Sequence, residues 1–248
     1  MASRPARPAR TARTAALAAL LLATGTACGG QDGAPSAEVA QQSPARDRVG
    51  TLSLHTAQGP RACTASVVHS PRRNLLVTAA HCVQTRRIGL LDGLVFTPGY
   101  RNGSTPYGTW PVQAITVDPH WAAGDDPEYD VAFVTVGTVD GRQVEDAVGG
   151  NPVDTGQGFG LSVSVTGYPN ESDEPITCAV RTSSQSATQE RFDCGGYTDG
   201  TSGSPWVTAN GAVVGVIGGY QEGGSTPGTS YSVTFDQRVA ELYRRATA

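Results

Sequence analysis

From about Val49 onward this sequence is built from short apolar runs separated by turn signals, and that pattern leaves little room for anything but an all-β fold. The runs are Gly50–His55, Ala62–His69, Leu75–Ala79, Leu91–Thr97, Thr109–Val117 and Val131–Val136, then Leu161–Tyr168, Thr177–Arg181, Ser204–Val207, Val213–Gly218 and Tyr231–Thr234. Between Leu161 and Tyr168, Val163 and Val165 alternate with Ser162, Ser164 and Thr166, as a half-buried strand requires. With 31 Gly and 16 Pro against 5 Phe and 1 Met, turns are frequent and long helices few, which favours a sandwich or barrel over a bundle. Only the C-terminus reads as a good helix: Asp236 can cap it, and Val239, Leu242 and Tyr243 fall on one face. The Gly- and Asp-rich stretch 140–160 reads as the connection between two halves.

The N-terminus has a different character. Arg4, Arg7, Arg10 and Arg13 precede an apolar run, Ala15 to Ala23, which is too short to span a bilayer and ends in the small residues Gly25, Thr26 and Ala27. This is the pattern of a secretory signal over residues 1–27. Residues 28–48 are poor in large apolar side chains and are expected to form a flexible tether. Without residues 1–27, 14 Arg face 22 acids, a net charge of about −8, so phosphate-based nucleic-acid binding is not expected. All 18 basic residues are Arg, which removes Schiff-base and Ser–Lys chemistry.

Export places the cysteines in an oxidising compartment. Cys63, Cys82, Cys178 and Cys194 allow three pairings; the local one, 63 with 82 and 178 with 194, keeps each bridge within one half of the chain. Cys28 is the odd one out. Its setting, Gly25-Thr26-Ala27-Cys28-Gly29-Gly30, resembles a bacterial lipobox, in which the cysteine becomes a lipid-modified N-terminus; an ordinary cleavage site would leave it a free thiol.

Three separated motifs carry chemistry: Thr78-Ala79-Ala80-His81-Cys82, Asp130-Val131-Ala132-Phe133-Val134, and Gly200-Thr201-Ser202-Gly203-Ser204-Pro205. A serine hydroxyl needs an adjacent base, and the base needs a partner that fixes its tautomer. Glycines around the serine let main-chain N–H groups face a developing oxyanion. The order His81, Asp130, Ser202 discriminates among known solutions. In α/β-hydrolases the histidine follows the serine, whereas His55, His69, His81 and His120 all precede Ser202 here. The subtilisin order needs an Asp before His81, and only Asp32 and Asp47 of the expected tether qualify.

The three motifs together, between roughly Val49 and Arg245, resemble the chymotrypsin-like serine proteases, and among these the bacterial secreted members. The resemblance implies two six-stranded antiparallel β-barrels packed together with a C-terminal helix, the first over residues 49–145 and the second over 146–248. It implies an exported serine endopeptidase that works through a Ser202–His81–Asp130 triad and an acyl-enzyme, with Gly200 and Ser202 N–H groups as the oxyanion hole. A bridge between Cys63 and Cys82 matches the family bridge beside the histidine. The same fold could also serve a catalytically idle surface binding protein.

Where animal members carry Asp before the serine, paired with a new N-terminal amine, this chain has Thr201, so activation is expected to need only export and folding. The pocket-base position six residues before the serine is Gly196, with Asp193 and Asp199 as neighbouring acids. Gly218, Gly219 and Tyr220 are expected to form the pocket wall, with Tyr220 narrowing it. No cofactor or catalytic metal is called for, since the remaining histidines lack ligand spacing and Asp125, Asp126 and Glu128 read as a solvated loop. The expected partner is a protein or peptide substrate, the expected state a monomer. Membrane contact is expected only through a lipid at Cys28, on the outer face of a bacterial cell membrane.

Overall fold

The computed structural model describes residues 1–2, 35–87 and 89–248. Residues 1–33 and 34–248 are separate units. Nearly all of the expected signal, and Cys28 itself, lie outside the described residues. No helix of the described residues is long and apolar enough to cross a membrane.

After β1 (Glu38–Val39), which joins the second half, come β2 (Val49–Leu54), β3 (Arg61–Val68) and β4 (Leu75–Thr78). The small hairpin β5 (Gln84–Thr85) and β6 (Gly89–Leu90) precedes β7 (Leu94–Pro98), β8 (Trp110–Val117) and β9 (Ala132–Val136). Antiparallel pairing runs β2–β3–β4–β9–β8–β7 and returns to β2, so this barrel is closed and has no free edge. β4 is apolar on both faces for a reason. Leu76 points into the barrel among Leu52, Val67, Phe96, Trp110 and Val134. Leu75 and Val77 point outward into a second cluster with Val216, Val233, Val239 and Leu242. Burial of each such side chain is worth roughly 1.5–3 kcal/mol, so the strand stabilises the barrel and its junction with the second half at once.

The second half contains β10 (Ser162–Gly167), β11 (Ile176–Arg181), β12 (Ser183–Ser184), β13 (Gln189–Asp193), β14 (Pro205–Thr208), β15 (Val213–Val216) and β16 (Thr229–Val233). They form a five-stranded sheet, β1-β11-β10-β14-β15, and a three-stranded sheet, β12-β13-β16. Thr182 carries the chain from β11 into β12, and on the other side Gly218 N donates to Tyr231 O at 2.9 Å. The two sheets thereby curl around Val165, Phe192 and Trp206. The folded unit is the mostly β, chymotrypsin-like architecture that the family resemblance implies, with the first barrel closed and the second half in two sheets where a closed six-stranded barrel was expected.

Among the described residues, three α-helices complete it: α1 (Pro119–Gly124), α2 (Val144–Val148) inside the expected connector, and α3 (Gln237–Thr247). The Asp236 carboxylate accepts from Arg238 N at 2.8 Å, capping α3 as expected. Val239 and Leu242 are buried, and Tyr243 meets Phe133 edge-on at 5.4 Å. Both expected bridges form, Cys63–Cys82 and Cys178–Cys194, closing separations of 19 and 16 residues. Loops of this size are worth about 3 kcal/mol in the chain-entropy account.

The expected tether requires correction. Residues 35–48 are docked on the folded unit: β1 pairs with β11, Ala37 N donates to Gly195 O at 2.8 Å, and Ala40 N donates to Pro175 O at 2.8 Å. Asp47 is buried and accepts from Tyr107 Oη at 2.7 Å; Arg48 Nη1 donates to Asn151 Oδ1 at 2.6 Å. A segment poor in large apolar side chains is ordered here by main-chain pairing and polar contacts, which hydropathy does not register. β13 was also absent from the apolar runs, because Gln189-Glu190-Arg191-Phe192-Asp193 is mostly polar.

Candidate active site

The closed barrel delivers His81 just past the end of β4, on a single tight turn, Ala80–Cys82. The bridge from Cys82 to Cys63 ties that turn to β3. Asp130 sits two residues before β9, which pairs with β4, so strand register brings the two side chains together. One carboxylate oxygen of Asp130 accepts from His81 N at 2.9 Å, and the other lies 2.8 Å from His81 Nδ1. Gly219 N donates to that second oxygen at 2.8 Å. The Asp130 side chain is fully buried, whereas His81 keeps 11% of its side chain exposed, enough for its far edge to be reached.

These contacts set the titration of the pair. Burial alone would lower the His81 pKa, but the Asp130 charge, the hydrogen bond to it and the charge of Glu222 hold it above 6.5. Burial likewise opposes the Asp130 carboxylate, yet the His81 charge and the hydrogen bonds from His81 and Gly219 keep its pKa below 3.8.

Ser202 comes from the second half, on the loop between β13 and β14, and it is held there from the first. Thr64 N donates to Ser202 O at 2.8 Å, and Thr64 Oγ1 donates to Gly200 O at 2.9 Å while accepting from Tyr168 N at 3.0 Å. Gly203 N donates to Ile217 O at 2.7 Å. Gly203 has φ +80°, and a Cβ there would sit 2.1 Å from Thr78 Oγ1 and 2.2 Å from Thr64 O, so only glycine fits. Thr201 turns its hydroxyl to Thr198 O at 2.7 Å. Thr64 escaped the sequence reading; its one signal is a polar residue in the middle of an apolar run.

His81, Gly200 and Ser202 line one cleft of about 640 Å³, with Asp130 behind His81. The expected pocket wall is a correction. Gly196, Gly218, Gly219 and Tyr220 do not line this cleft. A Cβ on Gly218 would lie about 3.1 Å from Ala79 Cβ and from Asp130 Oδ2, so Gly218 and Gly219 cover the buried side of the His–Asp pair. Tyr220 leaves the cleft altogether: it packs edge-on against Tyr231 at 5.0 Å and is 41% exposed, so it narrows nothing. Gly196 instead turns its α-carbon toward Ala37 and Ile176. The walls are formed by Tyr197 to Thr201, Ile217 and the Gly-rich loop from Gln221 to Pro227. Of the neighbouring acids, Asp199 lines the cleft, while Asp193 accepts from Thr229 Oγ1 at 2.8 Å.

His69, His120 and the acids ahead of Asp130 are engaged locally. His69 meets Glu145 at 2.6 Å; His120 meets Asp118 at 2.8 Å and stacks on Tyr129. Asp126 caps its own turn by accepting from Glu128 N at 3.0 Å, and Asp125 accepts from Arg86 N at 3.0 Å. Glu128 is not merely solvated, since it accepts from Gln189 Nε2 at 3.2 Å. Cys63, His81 and Cys82 bring their donor atoms within 4.8 Å of one another, but both sulfurs are spent on the bridge and offer no thiolate to a metal.

Residues 63–216 match the family model of the trypsin-like peptidase domain. The chain is 31% identical over 107 residues to the extracellular metalloprotease of Bacillus subtilis (strain 168), a match over 43% of this chain and 33% of that protein. The chain thus corresponds to about a third of the length of that curated relative. The thermostable serine protease AL20 from an extremophilic microorganism superposes with a TM-score of 0.72 at 26% identity, covering 83% of this chain and 99% of that one. The protease Anisep from Arthrobacter nicotinovorans gives 0.71 at 25% identity, covering 81% and 95%. With more than half of its length in the family match and its fold shared with these proteases, the chain belongs to the trypsin-like peptidase family.

Proposed function

We propose that the protein is an exported serine endopeptidase in which Ser202 is the nucleophile, His81 the general base and Asp130 its orienting partner. The observation that carries this reading is the His81–Asp130 pair, bonded at both carboxylate oxygens and set beside the cleft that Ser202 also lines. With Nδ1–H donated to Asp130, the Nε2 atom of neutral His81 is left as the proton acceptor. Ser202 Oγ attacks the peptide carbonyl carbon and passes its proton to Nε2. The carbonyl oxygen takes up negative charge, which the N–H groups of Gly200 and Ser202 stabilise. His81 then returns the proton to the departing amine, leaving an ester on Ser202. Water, deprotonated by His81, hydrolyses that ester and restores the enzyme. Asp130 stays ionised throughout, in keeping with its lowered pKa.

The extracellular setting of the Bacillus subtilis relative and the signal-like N-terminus support export. Hydrolysis of casein and labelling by a fluorophosphonate test the chemistry together. Ser202→Ala is expected to abolish labelling and to lower kcat on the order of 10⁶-fold, since a triad acts as a unit. Full peptidase activity in that variant would overturn the reading.

A further inference from the structure

The cleft walls are held from behind by the N-terminal segment. Three stretches of main chain lie side by side: Pro35 to Ala37, Cys194 to Gly196, and Pro227 to Gly228. Gly195 N donates to Pro35 O at 2.7 Å, and Ala37 N donates back to Gly195 O at 2.8 Å. On the other side Cys194 N donates to Gly228 O at 3.0 Å, and Gly196 N donates to Pro227 O at 3.0 Å. Gly196 continues directly into Tyr197 and Thr198, which line the cleft, while Pro227 ends the Gln221–Pro227 loop that also lines it. The middle stretch therefore links both walls, and the N-terminal stretch supplies the hydrogen bonds on its outer edge. A Cβ on Gly195 would meet Ser36 Oγ at a tight 3.3 Å, and Gly196, at φ +104°, holds a conformation that favours glycine, with Ala37 in van der Waals reach of it.

The segment is itself anchored. Glu38 and Val39 pair with Thr177 and Ile176 of β11, and Cys178, two residues on from Ile176, is bridged to Cys194. Ala40 is fully buried, its N–H bonded to Pro175 O and its carbonyl accepting from the Arg101 guanidinium, which also pairs with Glu174 at 2.6 Å. Arg101 belongs to the first half, between β7 and β8, so the strap is gripped from both halves.

We propose that residues 35–40 are a positioning strap for the substrate cleft: their main-chain pairing with Gly195 sets the separation of the walls at Tyr197–Thr198 and Thr226–Pro227. Its effect on turnover rests on the peptidase reading; its effect on the walls does not. Loss of the strap then weakens peptide binding while leaving the His81–Asp130–Ser202 geometry, which is braced by Thr64 and Ile217, in place.

The test compares Ala37→Pro, which removes the N–H to Gly195 O, with Ala37→Gly, which keeps it. Amide hydrogen exchange at Gly195 and Gly196 is expected to accelerate roughly tenfold or more in A37P and to stay near wild type in A37G, as for loss of a buried bond network. KM for a peptide spanning the cleft is expected to rise roughly five- to tenfold in A37P with kcat little changed, a fold-change set by about one lost hydrogen bond. Labelling by a small fluorophosphonate, which needs only the reactive serine, should keep its wild-type rate. If A37P does not fold, Arg101→Met, which frees the Ala40 carbonyl, is expected to show the same changes in smaller measure. Unaltered exchange at Gly195 and Gly196 would overturn the proposal. So would an equal loss of peptide turnover and of labelling, because that marks general damage to the fold. A wild-type protein that neither cleaves nor labels would sink the peptidase reading, while the exchange comparison would still decide the strap.

Discussion

In the proposed mechanism His81 has to be neutral to accept the Ser202 proton, so its titration would set the acidic limb of the activity. Asp130 and Glu222 both hold the imidazolium, and the folded pKa lies above 6.5 despite burial. The sign follows: kcat/KM is low below that value and climbs as pH rises through it. Glu222→Gln removes one of the charges that favour the imidazolium, so the midpoint of the kcat/KM profile is expected to move to lower pH. A midpoint that stayed put or moved up would show that Glu222 does not act on His81. At this scale the three residues of the proposed triad stand out in the sequence because each sits in a short motif whose order along the chain excludes other hydrolases. The cleft wall was not legible. After Ile217 the main chain turns through Gly219, at φ +80°, and takes Gln221 and Glu222 into left-handed conformations. That path sends Tyr220 outward and Glu222 toward His81, and nothing in the residue types around Gly218 announces it.

Strand β13 shows what a polar strand conceals. Glu190 and Phe192 share its inner face, where Phe192 packs on Trp206 and Tyr197, and Glu190 is 1% exposed with Oε2 unpartnered among the described residues. Burial pushes the Glu190 pKa up to about 7. An unfolded chain ionises this carboxyl near 4.5, so between that value and about 7 the folded state binds more protons than the unfolded one. Stability therefore falls as pH rises across this window, by roughly 3 kcal/mol for the full shift. Glu190→Gln is expected to raise Tm by several degrees at pH 8 and to change it little at pH 4. Equal shifts at both pH values would mean that the charge is not what strains the site. The strand escaped sequence reading for the same reason that it is strained: its inward positions include a carboxylate. Helix α3, by contrast, was legible from one cap and one face, because local periodicity and the Asp236 cap agree with where it docks.

For the whole molecule, docking of residues 35–48 changes the distance between the catalytic unit and anything attached near its N-terminus. A tether running from Cys28 to Arg48 would let the enzyme sweep through about 70 Å when extended. With Pro35 already bonded to Gly195, six residues separate Cys28 from the folded unit, a reach of at most about 25 Å. If Cys28 carries a lipid, this shorter span limits how far the folded unit can stand off the membrane, and large folded substrates would meet it less freely than short peptides do. Two measurements follow. Wild-type protein is expected in the detergent-soluble membrane fraction and Cys28→Ser in the medium, because stable anchoring needs more than one acyl chain and vanishes with the cysteine that carries them. Anchored and released forms should hydrolyse a short peptide at equal rates, with the released form faster on a folded protein substrate. Identical fractionation of wild type and Cys28→Ser would remove the anchor. Equal rates on the folded substrate would leave the anchor in place and show instead that six residues give the cleft all the clearance it needs.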